Sequence, residues 1–220
     1  MVIIMEQYLN LIQEKHILSP QNIEHLELCT FKKGEYILHQ GDKLEYVYIL
    51  VKGKVKTCRN TLNGLSFLTS ITYPLNIFGE VELLHNELVS NDIIAIEDSV
   101  FLRISNLLYH DELIHDQAFI QYIASSLAFK LYKINQNISV SINYPVENRL
   151  ASYLVSCEVN HIVEDNFVSV AQMIGCSYRQ LQRTLGIFVE KGYIEKIHRG
   201  TIQIINDEAL KQLGQDLYIL

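Results

Sequence analysis

The sequence predicts an α+β protein built in three successive parts, and three observations support this. Between Thr30 and about Arg103, short segments rich in Ile, Val, Tyr, Phe and Thr alternate with turn signals at Lys33-Gly34, Gly41-Asp42, Lys52-Gly53, Asn63-Gly64, Pro74 to Asn76 and Gly79. Regular short strands of this kind form antiparallel rolls or sandwiches. From about 116 to 142 the pattern becomes helical, without Gly or Pro. The stretch 166–205 reads NFVSVAQMIGCSYRQLQRTLGIFVEKGYIEKIHRGTIQII: two short helices, a glycine turn between them and a two-stranded ribbon behind them, the pattern of a winged helix-turn-helix. The expected boundaries are a strand-rich sandwich or roll domain over 1–115, a dimerisation helix over 116–142 and a winged helix-turn-helix domain over 143–220.

Each part follows from its residues. Residues 6–28 carry an apolar helical face (Tyr8, Leu9, Leu11, Ile12, Ile17, Leu18) interrupted at Ser19-Pro20. Among the strand signals Asn63-Gly64 is the strongest, because a type I′ hairpin turn needs positive φ at both central residues. In the long helix Ile120, Ile123, Leu127, Leu131, Ile134 and Ile138 recur at steps of three and four, a heptad-like seam. A helix of that length extends roughly 37 Å at 1.5 Å per residue, more than a small domain needs internally, so the seam predicts a dimer interface. Asn143-Tyr144-Pro145 ends it, and Glu147 to Cys157 starts another helix with Leu150, Ala151, Leu154 and Val155 on one face.

The C-terminal part carries the chemistry. Asn166 can cap a first helix ending near Ile174, Gly175 can take the positive φ of a tight turn, and Ser177 can cap the next helix. Leu181, Leu185 and Phe188 then face inward, leaving Tyr178, Arg179, Gln182 and Arg183 toward solvent or DNA. Arginine can bridge guanine O6 and N7, and glutamine can read adenine. His198-Arg199-Gly200 forms the tip of the ribbon, where Arg199 can meet a phosphate.

Composition sets limits. The 220 residues are 49% hydrophobic and 20% charged, with a formal net charge of −7. Residues 166–205 hold five cations and two anions, so this end is cationic and the remainder acidic. That asymmetry suits an acidic body with one DNA-facing end. No apolar run approaches a membrane span, and MVIIM lacks the cationic lead of a signal peptide. Cys29, Cys58, Cys157 and Cys176 have no CxxC spacing, as expected of reduced thiols in a cytoplasmic protein. No nucleophile–base pair, glycine-rich phosphate loop or metal-ligand spacing stands out, which argues against an enzyme. A non-DNA effector-binding or protein-interaction module is the competing reading, but it would need neither the cationic stretch nor the wing.

With both halves in view, the chain resembles the Crp/Fnr family of bacterial transcription regulators. The motifs are GEYILHQGDKLEYVYILVKGKVK (34–56), IFGEVELL (77–84), AIEDSVFLRIS (95–105), ENRLASYLVS (147–156) and IGCSYRQLQRTL (174–185). The run GEVELL and the Ser177-Tyr178-Arg179 sequence bring it closest to the YeiL-type branch. The resemblance implies a cyclic-nucleotide-binding-like β-roll and a homodimer through the long helix. It also implies double-stranded DNA read at a near-palindromic operator and RNA polymerase as a further partner. Base contacts would fall on Tyr178, Arg179 and Arg183, with Ser177, Gln182 and Arg199 beside them. The effector pocket would include Gly79, Glu80, Ser90 and Asn91. Cyclic-AMP-binding relatives follow their Gly-Glu pair with Arg-Ser, but here the matching pair is Ser90-Asn91, next to Asp92. A buried phosphate without a cationic partner is poorly compensated, so no cyclic AMP is expected, and Glu80 is expected to bond turn amides instead. Only Cys29 lies where the oxygen-sensing branch places an iron–sulfur cluster, so no such cluster is expected. The expectation is no cofactor and an unidentified signal.

Overall fold

The computed structural model describes every residue except 1, 63, 142, 143, 216 and 220, and the side chains of 2–4 and 134–141 also lie outside the description. The elements run α1 (Val2–Glu14), α2 (Pro20–Ile23), β1 (Glu27–Phe31), β2 (Tyr36–Leu38), β3 (Tyr46–Lys52), β4 (Val55–Asn60) and β5 (Ser66–Thr72). Next come β6 (Asn76–Phe78), α3 (Glu80–His85), β7 (Asp92–Ala95), β8 (Ser99–Ser105), α4 (Asn106–His115) and α5 (Gln117–Ser141). The rest is α6 (Val146–Cys157), β9 (Ile162–Glu164), α7 (Phe167–Met173), α8 (Tyr178–Glu190), β10 (Ile194–His198), β11 (Thr201–Ile204) and α9 (Asp207–Gly214). They form two compact units, residues 1–55 with 72–132 and residues 56–71 with 133–220.

The first unit is organised by the two faces of its strands. Its main sheet has the order β1-β8-β3-β6, with antiparallel pairing throughout. Side chains alternate between faces with period two. On β3, Val47, Ile49 and Val51 therefore join Leu102 and Ile104 of β8 in a core closed by Ile12, Leu113, Phe119 and Ile123 from the helices. On the opposite face Tyr48, Leu50 and Phe101 join Ile37, Val55, Phe78 and Ile93 in a second cluster. Asp116, at the start of α5, fastens the N-terminal segment: it accepts bonds from Ser19 N (2.9 Å), Asn22 Nδ2 (2.7 Å) and Phe119 N (3.1 Å). The helical stretch expected over 6–28 breaks before Ser19-Pro20, with α1 ending at Glu14 and the short α2 starting at Pro20, and its last residues, 27 and 28, already belong to β1.

The long helix matches its expected span, but its apolar seam does not lie as expected. Ile123 is 1% exposed in the core of its own unit, and Leu127 packs against that core. Ile123 is therefore committed to its own core, whereas Leu127, like Ile120, is only half-buried. The solvent-facing apolar positions are rotated: Ala124 and Ala128 are exposed, Leu131 is 60% exposed and Ile120 is half-buried. A 3.6-residue helix with two apolar faces produces a mixed set of three- and four-residue steps, and the sequence pattern merges the two faces into one. The side chains of Ile134 and Ile138 fall outside the described residues.

The second unit takes α6, the helix-turn-helix pair, the wing and α9, and also the hairpin of β4 and β5. Sequence alone places that hairpin in the β-roll domain. Its turn closes with Thr61 N donating to Leu65 O (2.9 Å), while Asn63 lies outside the described residues. The wing is a three-stranded sheet of order β10-β11-β9, not the expected two-stranded ribbon. The added strand, β9, is a three-residue segment set among the polar residues between α6 and α7.

Candidate nucleic-acid interface and effector site

The recognition end is assembled by caps. Asn166 Oδ1 accepts a bond from Val168 N (3.0 Å) and starts α7, whose Phe167, Val170, Ala171 and Met173 are buried. The chain then turns at Gly175, whose φ of +67° is costly for any residue with a Cβ. Gly175 N donates to Gln172 O (3.0 Å) and Cys176 N to Ala171 O (2.9 Å), satisfying carbonyls at the end of the helix. Arg149, on α6, adds a side-chain cap by donating from Nη1 to the carbonyls of Ile174 and Gly175. Sequence alone gives Arg149 no role, because its carbonyl partners lie 25 and 26 residues away.

The second helix, α8, begins with a reciprocal capping box. Ser177 Oγ accepts from Gln180 N (3.2 Å), and Gln180 Oε1 accepts from Ser177 N (2.9 Å). The letters Ser-x-x-Gln carry that signature, so Gln180 adds a second half to the cap expected from the serine. Leu181, Thr184, Leu185 and Phe188 are buried. Tyr178 is 48% exposed, Arg179 and Arg183 are exposed and Gln182 is half-buried. The four candidate readers therefore start on a capped, well-anchored helix with their polar ends available. In the wing, His198 pairs with Thr201 across a two-residue turn that leaves Arg199 exposed. Cys176, in the turn before α8, has its thiol pushed up by burial, with Arg149 opposing, so it is not poised as a thiolate.

In the β-roll, Glu80 and Ser90 of the predicted pocket are taken up by neighbours outside that set, Lys130 and Glu82. Gly79 has φ +91°, and a Cβ there would lie 2.6 Å from Leu44 Cδ1, so the turn into α3 accepts only glycine. Glu80 is buried and its Oε1 lies 2.6 Å from Lys130 Nζ on α5. Lys130 also donates to Ile77 O (3.0 Å) and sits 5.5 Å from the Phe78 ring centroid. Glu80 is thus an ion-pair partner rather than the expected acceptor of turn amides; its neighbour Glu82 has that role. Glu82 Oε1 accepts from Ser90 N (2.9 Å) and Ser90 Oγ (2.8 Å), and Asn91 Nδ2 donates to Ser90 Oγ (3.0 Å). Asp92 Oδ1 accepts from Gln40 N (2.8 Å). Sequence proximity could not reveal Lys130, which lies 50 residues from Glu80. Glu80, Glu82 and Asp92 thus supply three carboxylates here, and Lys130 is already paired with the first of them.

Comparison with known proteins agrees with this geometry. Residues 28–109 match the cyclic nucleotide-binding domain. The matched domain and the helix-turn-helix fold point to one class: the chain is similar to Crp/Fnr-type transcription regulators. Within it, the chain is similar to the regulatory protein YeiL of Escherichia coli O157:H7, with 24% identity over 190 residues covering 86% of each. It is also similar to the cyclic AMP receptor protein of Thermus thermophilus, with 22% identity over 206 residues covering 90% of this chain and 95% of the relative. Among solved structures, a crp/fnr-family regulator from Eubacterium rectale superposes with a TM-score of 0.73 at 18% identity, covering 92% of this chain and 94% of that one. A CRP/FNR-family regulator of Thermus thermophilus gives 0.69 at 20% identity, covering 86% and 98%. Both solved structures are described as transcriptional regulators of that family. No helix among the described residues is long and apolar enough to cross a membrane.

Proposed function

We propose that the chain is a sequence-specific, DNA-binding transcription regulator that acts in the cytoplasm as a homodimer on a near-palindromic operator, with RNA polymerase as its further partner. The observation that carries this reading is the placement of Tyr178, Arg179, Gln182 and Arg183 at the start of a doubly capped helix, followed by an exposed wing arginine. The dimer surface is the outward stripe Ile120, Ala124, Ala128 and Leu131 on α5, where two alanines allow close helix approach. Ser177 and Gln180 fix the helix start, the four side chains read bases or phosphates, and Arg199 grips the backbone.

The β-roll answers to a signal other than a cyclic nucleotide. Glu80 is held by Lys130, and Ser90 is held by Glu82. A phosphate entering here would meet Glu82 and Asp92, while Lys130 is already committed to Glu80, an arrangement that disfavours anions. An iron–sulfur cluster is no part of this reading either, because such clusters need several thiolates and Cys29 is the only cysteine in the first 57 residues.

Selection of bound sites from random DNA by the purified protein tests the reading. The expected product is a twofold-symmetric sequence with half-sites about 10 bp apart, bound more weakly as salt rises. Arg183→Ala should remove the preference at one position per half-site. Specific binding unchanged by Arg183→Ala would sink this assignment of the helix, and a monomer in light scattering would remove the symmetric operator.

A further inference from the structure

The wing is tied to a residue outside the recognition helix and to a hairpin far from it in sequence. Asp165 stands between β9 and α7. Its N–H donates to Gly200 O in the wing turn (3.0 Å), and its own carbonyl O lies 3.2 Å from where a Cβ on Gly200 would be. The two backbones are therefore in contact at the base of the Arg199 turn. The Asp165 carboxylate has three further partners. Oδ1 accepts from Asn166 N (2.7 Å), at the cap of α7. Oδ2 accepts from Tyr153 Oη on α6 (2.5 Å) and from Lys56 Nζ on β4 (2.9 Å). One residue thus joins the wing turn, the start of the first helix-turn-helix helix, α6 and the hairpin.

Lys56 does not sit at a casual surface contact. Its side chain is 13% exposed and that of Asp165 is 22% exposed. Burial alone would push the lysine down, but Asp165 outweighs this and raises it, so the ammonium is kept charged. The hairpin that carries it is fastened at two other places. Cys58 Sγ lies 3.8 Å from Met173 Sδ of α7, and Ile71 N donates to Tyr218 O (2.6 Å) beside a parallel bridge between Ile71 and Ile219.

We propose that Asp165 is the positioning residue of the wing, and that Lys56 on the β4–β5 hairpin sets, through it, how Arg199 meets the DNA backbone. The proposal rests on the DNA-binding reading above. The hairpin is then part of the DNA-binding apparatus, although no residue of it needs to touch DNA. Any displacement of the hairpin withdraws an ammonium from Asp165, loosens the contact with Gly200 and removes one phosphate contact from the complex.

The test is a double-mutant cycle between Lys56→Met and Arg199→Ala, read by operator binding across a salt series. If the wing is the route, each single variant should lose about tenfold in affinity and lower the salt slope by roughly 0.9, the value of one phosphate contact. The double variant should lose no more than Arg199→Ala alone. Lys56→Arg, which can still pair the carboxylate, should restore binding. Independent losses that multiply in the double variant would overturn the proposal, as would a Lys56→Met protein with unchanged binding. Amide exchange supplies a readout without DNA: the Arg199–Thr201 amides should exchange at least about tenfold faster in Lys56→Met, with α8 unchanged. Unchanged wing exchange would also overturn it. A wild-type chain that binds no DNA would instead refute the functional reading, while exchange still decides how the wing is held.

Discussion

Among the described residues, each compact unit holds a lysine–carboxylate pair with little side-chain exposure. Lys130 and Glu80 are 15% and 7% exposed, and the ammonium lies against a ring and a carbonyl inside the β-roll unit. Lys56 and Asp165 are 13% and 22% exposed, and the carboxylate shares its charge with a tyrosine hydroxyl and a backbone amide. The first pair occupies the predicted effector site. The second joins the hairpin, α6, the start of α7 and the wing turn of its own unit. The difference lies in how many other groups each carboxylate serves: Glu80 acts as a plug, whereas Asp165 acts as a junction.

The largest expected effect comes from breaking the plug. Lys130→Met strands Glu80 in the interior and should cost about 3–5 kcal/mol of stability, measured by urea unfolding. Adding Glu80→Gln should recover part of the loss, and a single variant as stable as wild type would mean that the pair is hydrated. Lys56→Met should cost less, about 2 kcal/mol, because Asp165 keeps its bonds from Tyr153 and Asn166. Equal losses for the two variants would erase the distinction between plug and junction. Ser177→Ala removes one half of the capping box and should cost about 1 kcal/mol, with the unfolding midpoint as the readout.

The smallest effect is acid-dependent. Burial opposes the charge of Asp116, but bonds from Asn22, Ser19 and Phe119 outweigh it and hold the carboxyl below its usual 3.8. A depressed folded-state value means stability that is present above the unfolded value and lost as pH falls below it through the folded value. The melting temperature should therefore drop below about pH 4, and Asp116→Asn should flatten that part of the profile. A variant with the same acid slope would assign the loss to other carboxylates.

Legibility followed sequence distance. The helix-turn-helix was readable because its caps, turn glycine and inward leucines lie within a few residues of one another: Asn166, Gly175, Ser177 and Leu181 each act locally. The strands of the roll were readable from β-branched and aromatic runs between closely spaced turn signals such as Lys52-Gly53 and Gly79. Lys130–Glu80 and Lys56–Asp165 were not, since partners 50 and 109 residues apart leave no local pattern. Ile123 misled for a different reason: it keeps helical step with Ile120 and Leu127, and periodicity does not say whether an apolar face meets its own core or another chain. β9 was too short and too polar at its edges to show.

During synthesis the hairpin must wait for its partners. Residues 56–71 leave the ribosome well before Asp165, Met173, Tyr218 and Ile219, the groups that hold them. At 5–20 residues per second, the interval between Ile71 and Tyr218 is roughly 7–30 s. Throughout that time the end of β5 at Ile71 lacks the backbone partners it has in the folded chain, so a strand end stays open to other strands in the segment whose Lys56 later pairs with Asp165.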